Sequence, residues 1–268
     1  MDGYRRRMAH DHLIEMLDLD AEVLHDYHRD LIGWVGREAA DRPRVLDLGA
    51  GSGTGSVALA RELPGSDVIA VDVSPEMLAH LRDRADAAGL GDRIQTVEAD
   101  LDQPWPDLGP IDVIWAASSM HHLADPGQAL ASAYAALRPG GLLVIAELDS
   151  FPHFLVGTPD ERLEERVHAE MARLRHEAGL HMHENWGDRI AHAGFSALTE
   201  RRFDIDLRPP LPVAAARYAE LSLLRMRHGL EERLSGADLG ALEKVVAGLA
   251  SRDDLTVRTV RTGWLARR

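Results

Sequence analysis

The sequence contains no cysteine, only 5% aromatic residues and a single lysine, Lys244, among its 268 positions. The absence of cysteine excludes disulfide bonds, thiolate nucleophiles and cysteine-based zinc sites. Acidic residues outnumber basic residues by 44 to 30, which gives a formal net charge of −14. Because binding to a nucleic-acid backbone requires concentrated Lys and Arg side chains, we expect no nucleic-acid partner.

A long apolar run is also missing from the start of the sequence. The segment MDGYRRRMAHDHLIEML has basic residues with no apolar stretch after them, so it predicts neither a signal peptide nor a membrane span. The overall composition, 45% hydrophobic and 28% charged, is typical of a globular protein. We therefore expect a cytoplasmic protein with no membrane partner, and self-association into a homo-oligomer stays open.

Short apolar segments and helical segments alternate from Arg44 onward. Five strands are predicted by RVLDLG, DVIAVDV, RIQTVEAD, IDVIWAAS and LLVIAELD. Helices are expected to start at Ser74-Pro75 and Asp125-Pro126, where a capping side chain precedes a proline, and LRPGG is expected to end the second of them. This alternation predicts an α/β fold with a doubly wound, mostly parallel sheet, and ligands at the carboxyl ends of its strands.

The rest of the sequence is predicted to be helical segments around this core. The predicted division is an N-terminal helical segment over 1–42, a cofactor-binding core over 43–150, a helical insertion over 151–182, a core helix and sixth strand over 183–208, a second helical insertion over 209–254 and a final strand over 255–268. The N-terminal segment is expected to contain two helices with a break near Asp18 to Asp20. We expect the helical segments to form a cap over the strand ends, and their aromatic and methionine side chains favour a pocket for a small molecule.

A glycine-rich turn follows the first predicted strand, in VLDLGAGSGTGS over 45–56. The dinucleotide pattern G-x-G-x-x-G fails in both registers, because Thr54 or Ser56 takes the place of its third glycine. There is no Gly-Lys-Ser/Thr triphosphate loop either. Asp47 precedes the glycines, and a carboxylate there would repel a pyrophosphate but suit a cationic ligand.

Two more acids end the next two predicted strands. Asp72, in VIAVDV, can accept hydrogen bonds from both hydroxyls of a ribose, and Asp100, in VEADL, can reach an adenine amino group. Three acids at adjacent strand ends suit a nucleoside that carries positive charge and no phosphate. S-adenosylmethionine is the common cofactor of this description, and S-adenosylhomocysteine is the product that it leaves.

The segment from Val45 to Leu148 resembles the class I, Rossmann-like S-adenosylmethionine-dependent methyltransferases of the small-molecule type. The matching pieces, in order, are VLDLGAGSGTG, VIAVDVSPEML, VEADLDQPWP, IDVIWAASSMHHLADP and ALRPGGLLVIAELD. The resemblance implies a seven-stranded sheet with an antiparallel last strand. It places Gly49, Gly51 and Ser52 along the methionine part, Asp72, Val73 and Met77 at the ribose and adenine, Asp100 and Leu101 at the adenine, and Ala117 near the amino-acid end.

Some of these residues also have purely structural interpretations. Asp47 could cap a turn, and Met77, at helical spacing, could fill the core. Asp125 resembles Asp100 in the sequence, but its position before a proline predicts a helix cap.

The loop SSMHHLADP, after the fourth predicted strand, should face the transferred methyl group. Phenolic O-methyltransferases use a histidine at a similar position, which corresponds to His121, and His122 is the second candidate for a general base. In other family members this pair only lines the pocket. The loop lacks the Asn/Asp-Pro-Pro-Tyr arrangement for exocyclic amines, and without cysteine no thiolate can support pyrimidine C5 methylation.

These observations favour a methyltransferase that acts on a small molecule, with O-methylation preferred over C- or N-methylation. The alternatives are a ligand sensor on the same fold and, third, a nicotinamide-dependent oxidoreductase, which the glycine spacing disfavours. The segment HMHE, from His181 to Glu184, could place two imidazoles on one face of a strand, but a histidine-rich loop more often lines a pocket, so we expect no metal.

Overall fold

A computed structural model describes residues 2–181 and 184–268, with side chains from residue 12 onward. Its helices are α1 (Asp2–Val23), α2 (His25–Glu38), α3 (Thr54–Glu62), α4 (Pro75–Ala87), α5 (Pro126–Ala136), α6 (Glu161–Glu177), α7 (Trp186–His192), α8 (Ala215–Gly229) and α9 (Gly236–Gly248). Its strands are β1 (Arg44–Leu48), β2 (Asp67–Asp72), β3 (Ile94–Glu98), β4 (Ile111–Ala117), β5 (Leu137–Leu148), β6 (Ser196–Leu207) and β7 (Val257–Arg267).

The strands form one seven-stranded sheet in the order β3-β2-β1-β4-β5-β7-β6. Strands β1 to β5 pair in parallel, with Leu48 opposite Val71 and Asp47 opposite Trp115. The strand order reverses between β1 and β4, so the loops after these two strands lie side by side at the carboxyl edge of the sheet. In open α/β sheets this reversal point is where ligands bind.

Strand β7 runs antiparallel to β5. The amide of Arg268 donates to the carbonyl of Gly141 in β5, whereas the amide of Asp149, directly after β5, donates to the carbonyl of Val260. The residue numbers of the partners therefore change in opposite directions. The predicted α/β class, the seven strands and the antiparallel last strand are confirmed.

The chain divides into two compact units. Unit 1 comprises the chain up to His25, Asp149–Leu180 and Asp204–Arg261, and unit 2 comprises Asp26–Leu148, His181–Phe203 and Thr262–Arg268. Helices α1, α6, α8 and α9 pack together in unit 1. The cap that the sequence predicts over the strand ends stays a prediction.

The core of unit 2 consists of apolar side chains from the central strands and from the helices against them. Strands β1 and β4, and β5 from Leu142 to Ala146, have almost continuous buried apolar residues, as expected for parallel strands covered on both faces. Trp186 and Ile190 of α7 and the following Phe195 join this cluster, which fixes α7 against the sheet. This position is what WGDRIAHAGF predicts.

One predicted helix boundary is wrong, and another is confirmed. The expected break near Asp18 to Asp20 falls instead at Leu24, between α1 and α2. Asp20 stays within the helix because its carboxylate accepts hydrogen bonds from Tyr218 and Arg261 instead of capping a new helix. The segment LRPGG ends α5 as predicted, because the helix stops at Ala136 and Leu137, where β5 begins, is its C-cap residue.

None of the helices in the described part of the chain combines the length and the apolar character needed to cross a membrane.

Candidate active site

The glycine-rich turn after β1 is held tightly against neighbouring loops. Gly49, Gly51 and Gly53 have φ angles of +69°, +53° and +85°, a region that favours glycine. A Cβ on Gly49 would lie 2.6 Å from the Cβ of Ser119, in the loop after β4. The hydroxyl of Ser119 also donates to the carbonyl of Leu48 at 2.7 Å. The turn after β1 and the loop after β4 are therefore fixed to each other.

Asp72, at the end of β2, connects that strand to the glycine-rich turn. Its Oδ2 accepts from the amide of Gly51 at 2.9 Å, and its Oδ1 accepts from the amide of Ser74 at 2.9 Å. The hydroxyl of Ser74 in turn accepts from the amide of Met77, which is the predicted cap of α4. Asp72 is half-buried, so its carboxylate keeps one side open at the strand ends.

Asp47, in contrast, is buried beneath the turn. Only 3% of its surface is exposed, and its Oδ2 accepts from the hydroxyl of Ser56 at 2.6 Å. Burial raises the pKa of Asp47 to about 7; the hydrogen bond from Ser56 opposes this rise and the charge of Asp72 adds to it. This hydrogen bond joins Asp47 to helix α3, so the turn cap considered from the sequence and a role toward a cofactor both stay predictions.

The other predicted cofactor residues differ in exposure. Val73, 65% exposed, and Asp100 lie open at the ends of β2 and β3, and Ala117 is half-buried at the end of β4. Ser52 and Met77 are buried, and Leu101 packs against the core. The structure therefore places Gly49, Gly51, Asp72, Val73, Asp100 and Ala117 along one accessible edge of the sheet, with the remaining residues behind it.

His121 forms a buried pair with Glu147. Nδ1 of His121 lies 2.6 Å from Oε2 of Glu147, and the amide of His121 donates to Oε1 at 3.3 Å. His121 belongs to a short helical turn after β4, and Glu147 lies near the end of the neighbouring strand β5. Both residues are at least 94% buried by side-chain surface.

Glu147 was not predicted from the sequence. The available signal was its position in LLVIAEL, where an acid interrupts a run that is otherwise apolar and buried. His122 is exposed, and its ring centre lies 4.0 Å from that of His121. The capping role predicted for Asp125 is confirmed, because its carboxylate accepts from the amide of Gln128 at 3.0 Å.

Two residues of the HMHE segment are described. Nδ1 of His181 lies 2.9 Å from Oε1 of Glu184, and Arg189 donates to the other oxygen at 2.9 Å. The two hydrogen bonds lower the pKa of Glu184 to about 2, and the bond from Arg189 contributes more than the bond from His181. Met182 and His183 lie outside the described residues, so the pair of imidazoles considered for this segment is not tested.

A different histidine cluster, in unit 1, was not predicted from the sequence. His153, Glu164 and His168 bring three candidate ligand atoms within 4.8 Å of one another, close enough in principle to hold a metal ion. However, the carboxylate of Glu164 already accepts from the amides of Phe154 and Leu155, and the two imidazole rings stack at 3.9 Å. These contacts account for the cluster as a hydrogen-bonded support of the loop before α6.

Comparison with known proteins agrees with this geometry. Residues 45–141 match the model of a methyltransferase domain family. The matched segment starts in β1 and ends in β5, so it contains the glycine-rich turn, the ends of β2 and β3, and the loop with His121. The chain contains a class I S-adenosylmethionine-dependent methyltransferase domain.

Two relatives illustrate the extent of similarity around this methyltransferase domain. Demethylmenaquinone methyltransferase of Thermus thermophilus is 39% identical over 110 residues, which cover 41% of this chain and 49% of the relative. The ubiquinone/menaquinone biosynthesis C-methyltransferase of Cereibacter sphaeroides is 30% identical over 142 residues, covering 52% of this chain and 55% of the relative. The chain thus spans about half the length of these two relatives.

Solved structures support the fold beyond the methyltransferase domain itself. Phosphoethanolamine N-methyltransferase 2 of Haemonchus contortus, in complex with S-adenosyl-L-methionine, superimposes with a TM-score of 0.53 and 20% identity over 90% of this chain and 52% of that chain. At this identity the likeness shows the fold alone.

The residues present fit S-adenosylmethionine. The accessible edge offers the carboxylates of Asp72 and Asp100, and there is no Lys or Arg among these positions. Carboxylates of this kind suit ribose hydroxyls, an amino group and a sulfonium, and they disfavour a phosphate.

Proposed function

We propose that this protein transfers a methyl group from S-adenosylmethionine to a hydroxyl of a small molecule. The observation that carries the proposal is the buried pair of His121, in the loop after β4 and next to the glycine-rich turn, and Glu147, near the end of β5. The bound cofactor supplies an already activated methyl group, so the residues of this chain have to bind, orient and deprotonate.

The pair suits His121 as a general base. A carboxylate that accepts from Nδ1 keeps the proton on that nitrogen and leaves Nε2 as the basic atom. In this role Nε2 would take the proton of the acceptor hydroxyl, and the oxygen would become nucleophilic toward the methyl group that the bound cofactor would supply. Glu147 then stabilises the imidazolium that forms, as buried carboxylates do for other catalytic histidines.

Asp72 and the glycines are assigned to cofactor binding. The two backbone hydrogen bonds of Asp72 fix the position of its carboxylate relative to Gly51 and Ser74. The repulsion between Asp72 and Asp47 would be relieved by a cationic ligand at the turn. Asp72→Ala should therefore weaken binding of S-adenosylmethionine by about 1–3 kcal/mol, the cost of hydroxyls left without a partner.

Methylation at a ring carbon is the second candidate. It is favoured by the two named relatives, one called a demethylmenaquinone methyltransferase and the other a C-methyltransferase of ubiquinone and menaquinone biosynthesis. The same deprotonation by His121 would activate a phenol for attack through an adjacent carbon. Both candidates therefore need a hydroxyl-bearing acceptor, and the attachment point of the methyl group distinguishes them.

The test is transfer of labelled methyl groups to a panel of phenols, hydroquinones, aliphatic alcohols and amines, with the attachment point located by mass spectrometry. His121→Ala should reduce turnover about 10²–10⁴-fold, the usual contribution of a general base, and Glu147→Gln should reduce it at least tenfold. Calorimetric binding of S-adenosylmethionine should change little in both variants. His192→Ala, at the exposed end of α7, is the matched control.

Three outcomes would overturn parts of this proposal. If His122→Ala abolishes turnover and His121→Ala does not, the base is His122. If amines are the only acceptors and His121→Ala keeps its rate, the pair is structural. If S-adenosylmethionine binds tightly but no acceptor in the panel or in a cell extract is labelled, the protein is a sensor on a methyltransferase fold.

A further inference from the structure

Two arginines of unit 1 lie close together on neighbouring helices. Arg175 is half-buried near the end of α6, and Arg225 is exposed on α8, which packs against α6. The guanidinium carbon of Arg175 lies 3.5 Å from the centre of the Phe151 ring. Nη1 of Arg175 is buried and has no hydrogen-bond partner among the described residues.

The lack of an acidic partner is unusual within this unit. Among the described residues, neither Arg175 nor Arg225 forms an ion pair, although acids outnumber bases by 44 to 30 in the chain. Most other described arginines of unit 1 pair with a carboxylate: Arg166, Arg173, Arg208, Arg217, Arg227, Arg233, Arg252, Arg258 and Arg261. Within the described part of the chain, the buried nitrogen of Arg175 therefore lacks the kind of partner that this unit supplies elsewhere.

The surroundings of Arg175 favour an anion. Burial lowers the pKa of Arg175 to about 10, with a further contribution from the charge of Arg225, so both side chains remain cationic at neutral pH. A desolvated charge without a partner is costly, and an anion with hydrogen-bond acceptors removes that cost. His168, near Arg175, is kept neutral because burial lowers its pKa to about 3, with smaller contributions from His153 and Arg175.

We propose that Arg175 and Arg225 form a binding site for the carboxylate or phosphate group of a small molecule, beside the ring of Phe151. The ring covers one face of the Arg175 guanidinium, and the donors at its edge, which include the unpartnered Nη1, suit two parallel hydrogen bonds to a carboxylate or phosphate. Arg225 supplies the second positive charge from the solvent side. The site involves unit 1 only and does not depend on methyl transfer.

A metal ion at His153, Glu164 and His168 is the competing interpretation of this neighbourhood. A divalent cation there would be repelled by Arg175, whose charge already disfavours protonation of His168. It would also have to compete with the backbone amides for Glu164. The observations therefore favour an anion at the arginines over a cation at the histidines.

The test is isothermal titration calorimetry of the full-length chain with benzoate and phenyl phosphate, with benzamide and benzyl alcohol as neutral analogues of similar size. We expect the anions to bind and the neutral analogues to bind at least tenfold more weakly. Arg175→Gln and Arg225→Gln should each weaken anion binding at least tenfold, and raising the salt concentration should weaken it further. The relative affinity of benzoate and phenyl phosphate separates a carboxylate site from a phosphate site.

The matched control is Arg162→Gln, an exposed arginine on the same helix as Arg175. It should leave anion affinity within twofold of the wild type. Equal binding of charged and neutral probes would overturn the proposal, and so would an equal loss of anion affinity in Arg162→Gln and Arg175→Gln. It would also be overturned if the protein binds no anion but binds zinc, and if His168→Ala abolishes that zinc binding. If Arg175→Gln fails to fold, two other variants test the anion site. Arg175→Lys keeps the charge but loses the paired donors, and Arg225→Gln removes the second charge; both should weaken anion binding.

Discussion

At the scale of single residues, the fold gives two neighbouring acids different environments. Asp47 and Asp72 both lie near the glycine-rich turn, but Asp47 is buried and Asp72 is half-buried with two backbone amides on its carboxylate. The sequence predicts both as acids at strand ends. It cannot show this difference, because exposure depends on Ser56 and on helix α3, which cover one carboxylate and not the other.

Asp47→Asn should make the stability of the protein less dependent on pH. The folded-state pKa of Asp47 is raised to about 7, so its contribution to stability is fully present below its ordinary pKa, near 4, and is lost as pH rises through 7. Relative to the wild type, the variant should therefore gain stability between pH 4 and 7, by at most about 4 kcal/mol at 1.36 kcal/mol per pKa unit.

Urea unfolding at intervals from pH 4.5 to 8 measures this difference. Asp67→Asn, at the exposed start of β2, is the control and should run parallel to the wild type. A constant offset between Asp47→Asn and the wild type over the whole range would show that Asp47 does not titrate in this window.

The catalytic candidates show a similar limit of sequence reasoning. His121 is predicted from its place after β4, because that position depends only on local order along the chain. Its partner Glu147 is 26 residues away and meets it only because β4 and β5 are neighbours in the sheet. The pairing of strands, which the sequence leaves open, is therefore what completes this site.

At the scale of elements, the turn from β1 into α3 depends on the space around Gly53. This residue has a φ of +85°, and a Cβ on it would lie 2.4 Å from the side chain of the buried Leu81 in α4. Gly53→Ala should therefore combine backbone strain with a clash and lower the free energy of unfolding by about 2–4 kcal/mol.

Gly89→Ala is the matched comparison. Gly89 follows α4 with a φ of +68°, but nothing lies within 4 Å of the position that a Cβ would take there. Its substitution should cost only the backbone strain, about 1–2 kcal/mol. Chemical denaturation of both variants gives the difference, and equal costs would mean that Leu81 moves aside without penalty.

The alternating elements of the core are predictable because each is encoded by a local pattern. The caps at Ser74 and Asp125 and the strand-helix alternation from Arg44 are examples. The error at Asp20 has the opposite origin. The sequence cannot distinguish an acid that interrupts a helix from an acid inside a helix that accepts hydrogen bonds from distant residues. Asp20 is of the second kind, since its donors Tyr218 and Arg261 are about 200 or more residues away.

At the scale of the whole molecule, such distant contacts hold unit 1 together. Asp20 accepts a hydrogen bond from the buried Arg261 at 2.6 Å and another from Tyr218. Asp20→Ala should destabilise the protein by about 3 kcal/mol or more, because it removes a carboxylate from a buried guanidinium.

Glu15→Ala provides a comparison, because Glu15 also pairs with a residue that is far away along the chain. Glu15 pairs with Arg217 across 202 positions, but both side chains are about two-fifths exposed, so the loss should be about 1 kcal/mol or less. Thermal and urea unfolding of both variants would test this contrast. Similar losses would show that sequence separation matters more than burial.

The assembly of unit 1 from three separate stretches of chain has a consequence for synthesis in the cell. Helix α1 is made before its partner α8, which begins at Ala215 and leaves the ribosome much later. At about 5–20 residues per second, the interval between them is on the order of 10–40 seconds. During that time α1 lacks its contacts with α8, so a chaperone that holds α1 in the nascent chain should raise the yield of folded protein.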